Sequence, residues 1–163
     1  SGGVGSAAIQ LAKARGAHVI AVAGDKKQHS VRGAGADQAL VRGASLEAAL
    51  GENSVDVVID LVGGEDWPEL LTILTPFGRY AVSGAIAGPI VKLDLRTLYL
   101  KDQRFLGCTV LDDGVFSRLV GLIEEGHIKP LLARSFALES LSEAQAFFLD
   151  KQFTGKLVID MAL

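Results

Sequence analysis

Three of the first five residues, in the run Ser1-Gly2-Gly3-Val4-Gly5, are glycines, and they stand directly ahead of a segment patterned as a helix. Glycines placed this way let backbone N–H groups meet a bulky anion without side chains intervening, and the helix behind adds partial positive charge. Gly2 and Gly5 have the offset of the second and third glycines of a G-x-G-x-x-G fingerprint, whose first glycine would precede Ser1. The chemistry this suits is diphosphate binding; a tight turn without a ligand is the plain alternative, so the neighbours decide. About 20 residues past such a fingerprint, an acidic side chain would hold the adenosine ribose hydroxyls. Here that place carries Ala23-Gly24, followed by Asp25-Lys26-Lys27. Small residues leave room for a 2′-phosphate, Lys26 or Lys27 can neutralise it, and Arg42 can add a guanidinium. NADP(H) is therefore expected over NAD(H). Asp25 keeps NAD(H) open, since its carboxylate can still accept from a ribose.

Other chemistries find less support. The Gly155-Lys156 pair is followed by Leu157, so no G-x-x-x-x-G-K-[ST] phosphate loop exists. No Tyr-x-x-x-Lys pair is present, since Gly84 follows Tyr80 at that spacing and Gln103 follows Tyr99. Cys108 is the single cysteine and lies in an apolar run, where a buried, inert thiol is expected. His18, His29 and His127 do not cluster at metal-ligand spacings. Asp56 and Asp60 share one strand and suit capping and turn roles; the Glu124-Glu125 pair suits a solvated helix end.

The elements that must hold these groups alternate. Val4, Ala7, Ala8, Leu11 and Ala12 fall on one helix face, with a stop expected near Arg15-Gly16. A strand follows in 17–24, buried on both faces. The cycle then repeats: helix 26–36, strand 37–41, helix 45–50, strand 55–64, helix 67–78, strand 79–88, helix 93–102, strand 103–110, and helix 115–126. In the last, Phe116, Leu119, Val120 and Ile123 mark one face. Such alternation predicts an α/β fold: a doubly wound parallel sheet with its first strand missing. From Pro130 the pattern becomes strand, helix, strand, with Ser140 and Glu143 spaced as a capping box, and those strands fit a separate sheet. We therefore expect a domain over 1–130 and a C-terminal segment over 131–163.

Composition narrows the class. Of 163 residues 49% are hydrophobic and the net charge is −3, which gives no basic stripe for nucleic acid. No apolar run is long enough to span a bilayer. One cysteine rules out a disulfide framework within the chain and suits a reducing, cytoplasmic setting.

Taken together, these stretches resemble the cofactor-binding domain of the medium-chain dehydrogenase/reductase superfamily, in its quinone oxidoreductase-like, zinc-binding dehydrogenase branch. "SGGVGSAAIQLAKARGAHVIAVAG", "GAGAD", "VDVVIDLVGG", "LLTILTPFGRYAVSGAIAG", "DLRTLYLKDQRFLGCTV", "LIEEGHIKPLLARSFAL", "SEAQAFF" and "GKLVID" occur in the family's order. The resemblance implies a Rossmann fold and hydride transfer between NADPH and a carbonyl, enone or quinone substrate. It places Gly2, Gly3 and Val4 under the pyrophosphate. Gly24, Lys26, Lys27 and Arg42 go around the adenosine ribose, and Gly84, Ala85 and Ile86 at the nicotinamide, with Thr109 and Val110 nearby. It assigns catalytic residues, metal ligands and most substrate contacts to an N-terminal domain outside this sequence, so no catalytic residue and no zinc are expected within these 163. Where relatives often carry asparagine or histidine shortly before the Gly-Lys pair, this chain has Phe153. It also implies a homodimer through the edge strand Phe105–Val110. A zinc-dependent alcohol dehydrogenase, an enoyl reductase module, and a nucleotide-binding protein without chemistry are the competing readings.

Overall fold

The computed structural model describes residues 1–162. Residues Ser1–Arg42 and those from Gly114 onward form one compact unit, and Gly43–Asp113 form another. This grouping cuts across the expected division at residue 130.

In the first unit, helix α1 (Gly3–Ala14) starts from Gly2, whose extended backbone (φ −75°, ψ −178°) serves as N-cap. Its end is the one anticipated. Gly16 takes φ +76°, while its N–H reaches the Lys13 carbonyl (2.9 Å) and the Ala17 N–H reaches that of Ala12 (3.1 Å). This is a Schellman stop, and its left-handed residue favours glycine. Strands β1 (Ile20–Ala23) and β2 (Gln38–Val41) pair in parallel, from Ile20 opposite Gln38 to Ala23 opposite Val41. The crossover between them carries helix α2 (Gln28–Gly33). Ile9 of α1 and Val31 of α2 pack with Ala21, Ala23 and Ala39 in one core. Small alanines on the sheet let both helices come close.

The same unit contains α3 (Val115–Glu124), strand β3 (Leu132–Ala137), α4 (Leu141–Asp150) and strand β4 (Lys156–Asp160). The last two strands pair in parallel as a separate two-stranded sheet, as the sequence suggested. Two details differ. Ser140 makes no capping bond, because a 3-10 turn over Leu138–Ser140 leads into α4 and gives Ser140 a turned backbone (φ −92°, ψ 18°) instead of the extended one a capping serine uses. Phe116 is exposed, so the apolar face expected of α3 is only half covered.

In the second unit, α5 (Leu46–Leu50) is capped by Ser45, whose Oγ accepts from the Ala48 N–H at 3.2 Å. Strand β5 (Val55–Asp60), helix α6 (Trp67–Ile73), strand β6 (Leu74–Val82), helix α7 (Leu95–Leu100) and strand β7 (Arg104–Gly107) follow. The three strands pair in parallel in the order β5-β6-β7. Val58, Trp67, Leu71, Leu74 and Tyr80 make the core. Helix α6 stops five residues earlier than its pattern suggested. Leu74 is already extended (φ −66°, ψ 134°), and Pro76 disfavours helical backbone at Thr75.

Among the described residues the strands form three parallel sheets of two, three and two strands. A doubly wound sheet runs 3-2-1-4-5-6, so without its first strand it leaves 3-2 and 4-5-6 as pieces. The β2-β1 pair and the three strands β5-β6-β7 have the orders of those pieces. The strands are also not buried on both faces: Val22, Val57 and Ile59 are 41%, 43% and 53% exposed. In each unit the packed helices cover the opposite face, where Ala21, Ala23, Val58 and Tyr80 point.

Candidate functional site

In the first unit the glycine turn forms a corner with exposed cations and unused donors. The first turn of α1 leaves its leading N–H groups without helical partners, and it contains no acidic residue. A strand-like bridge between Gly2 and Gly155 holds the corner from the side, with Gly155 at φ +95°. Lys156 then lies across Gly3: a methyl group there would sit 2.6 Å from Cδ and 2.7 Å from Nζ of that lysine. A side chain at position 3 would push that flexible lysine aside, so glycine there lets Lys156 lie against the turn. Val4 and Gly2 are exposed.

The ribose residues divide. Gly24 follows β1 with no atom within 4 Å of where a Cβ would stand, so the space beside it is open. Lys26 and Arg42 are exposed. The Lys27 ammonium, however, is engaged: it donates to the carbonyls of Lys151 (2.5 Å) and Phe153 (2.8 Å). It holds the 151–153 segment beside this corner rather than standing free. Phe153 stacks on Phe147 at 5.5 Å and offers no polar contact of its own.

Two residues here were not among the expected contacts. Lys156 was visible in the sequence only as half of a Gly-Lys pair rejected as a phosphate loop; that pair was the signal. Gln28 donates to the carbonyls of Ala23 (2.9 Å) and Leu40 (3.0 Å), pinning the ends of β1 and β2 together. Nothing in its spacing marks it.

In the second unit, Gly84, Ala85 and Ile86 follow β6 in a loop, with Ala85 and Ile86 exposed. This loop lies on the turn after β5. The Ala87 N–H donates to the Val62 carbonyl (2.9 Å), and the Gly64 N–H to that of Gly88 (3.2 Å). Thr109 and Val110 are exposed and lie beyond β7, which ends at Gly107, so they do not belong to an edge strand. Cys108 is exposed as well, against the expected buried thiol, next to a strand whose own residues are all exposed. Its N–H still donates to the Val82 carbonyl at 2.9 Å. The edge strand thus shrinks to Arg104–Gly107. Phe105 and Leu106 on it are partly open to solvent, and Phe105 packs edge-on against Trp67 and Tyr80.

The remaining titratable groups play structural parts. His18 lies 3.7 Å from Asp37, and His127 3.4 Å from Glu125. Asp56 is exposed, whereas Asp60 is buried and binds turn amides. Among the described residues no three His, Cys, Asp or Glu side chains are grouped as a metal ion requires. No described helix is long and apolar enough to cross a membrane.

Comparison with known proteins agrees with this architecture. Residues 3–125 match the family model for zinc-binding dehydrogenases. The chain is 34% identical over 160 residues to the acryloyl-coenzyme A reductase of Sulfurisphaera tokodaii, covering 98% of this chain and 48% of that protein. It is 32% identical over 167 residues to the chloroplastic quinone oxidoreductase QR1 of Triphysaria versicolor, covering 98% and 50%. A crystal structure described as an alcohol dehydrogenase from Sinorhizobium meliloti 1021 superposes with a TM-score of 0.89 at 50% identity, covering 98% of this chain and 46% of that one. The chain therefore spans about half the length of each of these relatives. It belongs to the zinc-binding dehydrogenase family of the medium-chain dehydrogenase/reductase superfamily, and corresponds to that family's C-terminal, Rossmann-type domain.

Proposed function

We propose that this chain is the cofactor-binding part of an NADPH-dependent reductase whose substrate is a carbonyl compound, enone or quinone. The observation that carries the cofactor choice is the charge at the glycine corner. Lys26, Arg42 and Lys156 stand on one unit with the α1 N-terminus, and the end of β1 carries small residues where an acid would select NAD(H). The bound nicotinamide supplies the hydride; the protein supplies position and charge.

In this reading Gly2, Gly3 and Val4 present N–H groups to the pyrophosphate. Lys156 lays an ammonium along the same turn. Gly24 gives the adenosine ribose clearance, Lys26 and Arg42 receive its 2′-phosphate, and Lys27 keeps the 151–153 segment in place beside them. In the second unit Gly84, Ala85 and Ile86 receive the nicotinamide end, with Thr109 and Val110 close to it. The open apolar edge at Arg104–Gly107 supports a homodimer, since an unpaired strand of this kind is stabilised by a second copy. A cytoplasmic setting fits the lone exposed thiol.

The direct experiment is a fluorescence titration with NADPH and NADH at fixed ionic strength. Binding of NADPH at least about tenfold tighter, the effect of one charge-assisted phosphate contact, is expected. Equal affinities, or a preference for NADH, would overturn the assignment.

A further inference from the structure

We propose that Asp60 is the positioning residue for the loop Gly84–Gly88, holding it at its height through a second turn that it binds directly. This inference rests on the reading above, in which that loop receives the nicotinamide.

Asp60 is the last residue of β5 and is 6% exposed. Its carboxylate is saturated with donors. Oδ1 accepts from the N–H groups of Val62 (2.8 Å) and Gly63 (3.1 Å), and Oδ2 from the hydroxyl of Tyr80 (2.7 Å) and again from Gly63 (3.2 Å). Tyr80 is 4% exposed and wedged edge-on between Trp67 (5.6 Å) and Phe105 (5.4 Å), so the core fixes the hydroxyl and the hydroxyl fixes the carboxylate. Burial, and next the bond to Asp60, push the Tyr80 hydroxyl well above its ordinary pKa, which keeps it a donor throughout the working range of pH.

The turn held this way is locked to the loop with no slack. Besides the two backbone bonds between them, Gly63 and Gly88 form a parallel bridge. A methyl group on Gly84 would lie 2.9 Å from the Leu61 carbonyl oxygen, and one on Gly64 2.9 Å from the Ala87 Cβ. The Ser83 N–H also donates to the Asp60 carbonyl at 3.0 Å. Because close-packed backbone cannot yield by small amounts, moving the turn moves the loop. A buried carboxylate with no reacting partner thus acquires a part in the site: it transmits the rigidity of the aromatic core to the exposed apex Ala85-Ile86.

A capping role alone would affect only the turn; a positioning role would reach the loop and distinguish the two ends of a cofactor. The 163-residue chain is therefore prepared with Asp60→Ala, Asp60→Asn and Tyr80→Phe. Amide exchange is followed by NMR without ligand, and binding is measured for NADPH and for 2′-phospho-ADP-ribose, which lacks the nicotinamide. Loss of charge-assisted bonds should speed exchange about tenfold at Val62, Gly63 and Ala87 in Asp60→Ala, leaving β1 and β2 amides unchanged. NADPH should bind about fivefold more weakly and the nicotinamide-free compound equally well, corresponding to one misplaced contact. Asp60→Asn should restore both, since its Oδ1 can keep the turn amides while its Nδ2 donates to Tyr80. If Asp60→Ala does not fold, Tyr80→Phe removes one donor and should show the same pattern at about threefold. Unchanged exchange at Ala87, or equal weakening of both ligands, would overturn the proposal. If the unsubstituted protein bound neither compound, the cofactor reading would fail, and with it the nicotinamide role; the exchange data would still decide whether Asp60 holds the loop.

Discussion

Replacing Gly63 by alanine tests the close approach of the two loops in the second unit. The residue has φ +63°, and in that left-handed region a Cβ costs about 1–2 kcal/mol on its own. The added methyl would also stand 2.7 Å from the Gly88 carbonyl oxygen and 3.3 Å from the Ala85 Cβ. Neither neighbour is the free end of a side chain. Relief requires the backbone of the 85–88 loop to move by several tenths of an ångström, breaking or stretching the Gly64–Gly88 bond. Overpacking of this kind costs about 1–3 kcal/mol, so the total expected is about 2–5 kcal/mol. Gly43 provides the control. It lies in the same unit at φ +86°, yet a Cβ there meets nothing within 4 Å, so Gly43→Ala should cost only the conformational share of about 1–2 kcal/mol. Trp67, the sole tryptophan, is 5% exposed in the core of this unit and reports its unfolding by fluorescence in urea. A Gly63→Ala loss no larger than that of Gly43→Ala would refute the claim that the loops are in backbone contact.

Leu71, 2% exposed in the core with Trp67 and Tyr80, should cost about 2–5 kcal/mol when cut to alanine, read from the same urea midpoint. Lys156→Met should weaken NADPH about fivefold and make binding less dependent on salt, because one ion contact is lost while the stem that packs on Gly3 is kept; calorimetry at two ionic strengths checks both. Tyr80 gives a pH dependence. Its folded pKa is raised, so its contribution is intact below the ordinary phenol value of about 10 and is lost as pH climbs above it, where only the unfolded chain releases the proton. Urea midpoints from pH 8 to 11 should fall more steeply for the natural protein than for Tyr80→Phe.

The order of elements was readable because glycines, apolar runs and helical periods each have a local cause. The Gly16 stop and the Ser45 cap are settled within a few residues. Where the reading failed, the deciding contact was elsewhere. Ser140 loses its capping role to a preceding 3-10 turn, and Cys108 is exposed because nothing packs over the edge that β7 forms, whose residues are all exposed too. Lys27 is a different matter: it has the spacing of a phosphate ligand from the glycine turn, and in the fold it also donates to the carbonyls of Lys151 and Phe153, more than 100 residues away. No local pattern encodes such a bond. Lys156 is the converse case: its neighbour Gly3 is even more distant in sequence, and only the close packing reveals it.

The residues proposed for the cofactor in each unit rest on different physics, and this separates what substitutions in each will do. In the first unit the important groups are charges and unpaired N–H donors at an exposed corner, where space is ample: Gly2 and Gly24 have no atom within 4 Å of a Cβ position. Changes to Lys26, Arg42 or Lys156 should therefore alter affinity, its salt dependence and the preference for a 2′-phosphate, with little effect on folding. In the second unit the important quantity is distance between backbones, and Gly63, Gly64 and Gly84 leave no room for a methyl group. Substitutions there should alter stability and the placement of the nicotinamide end together, with no dependence on salt. Asp60 is the exception that joins both kinds: a charge whose work is done through geometry, because its four hydrogen bonds are spent on holding backbone rather than on a ligand.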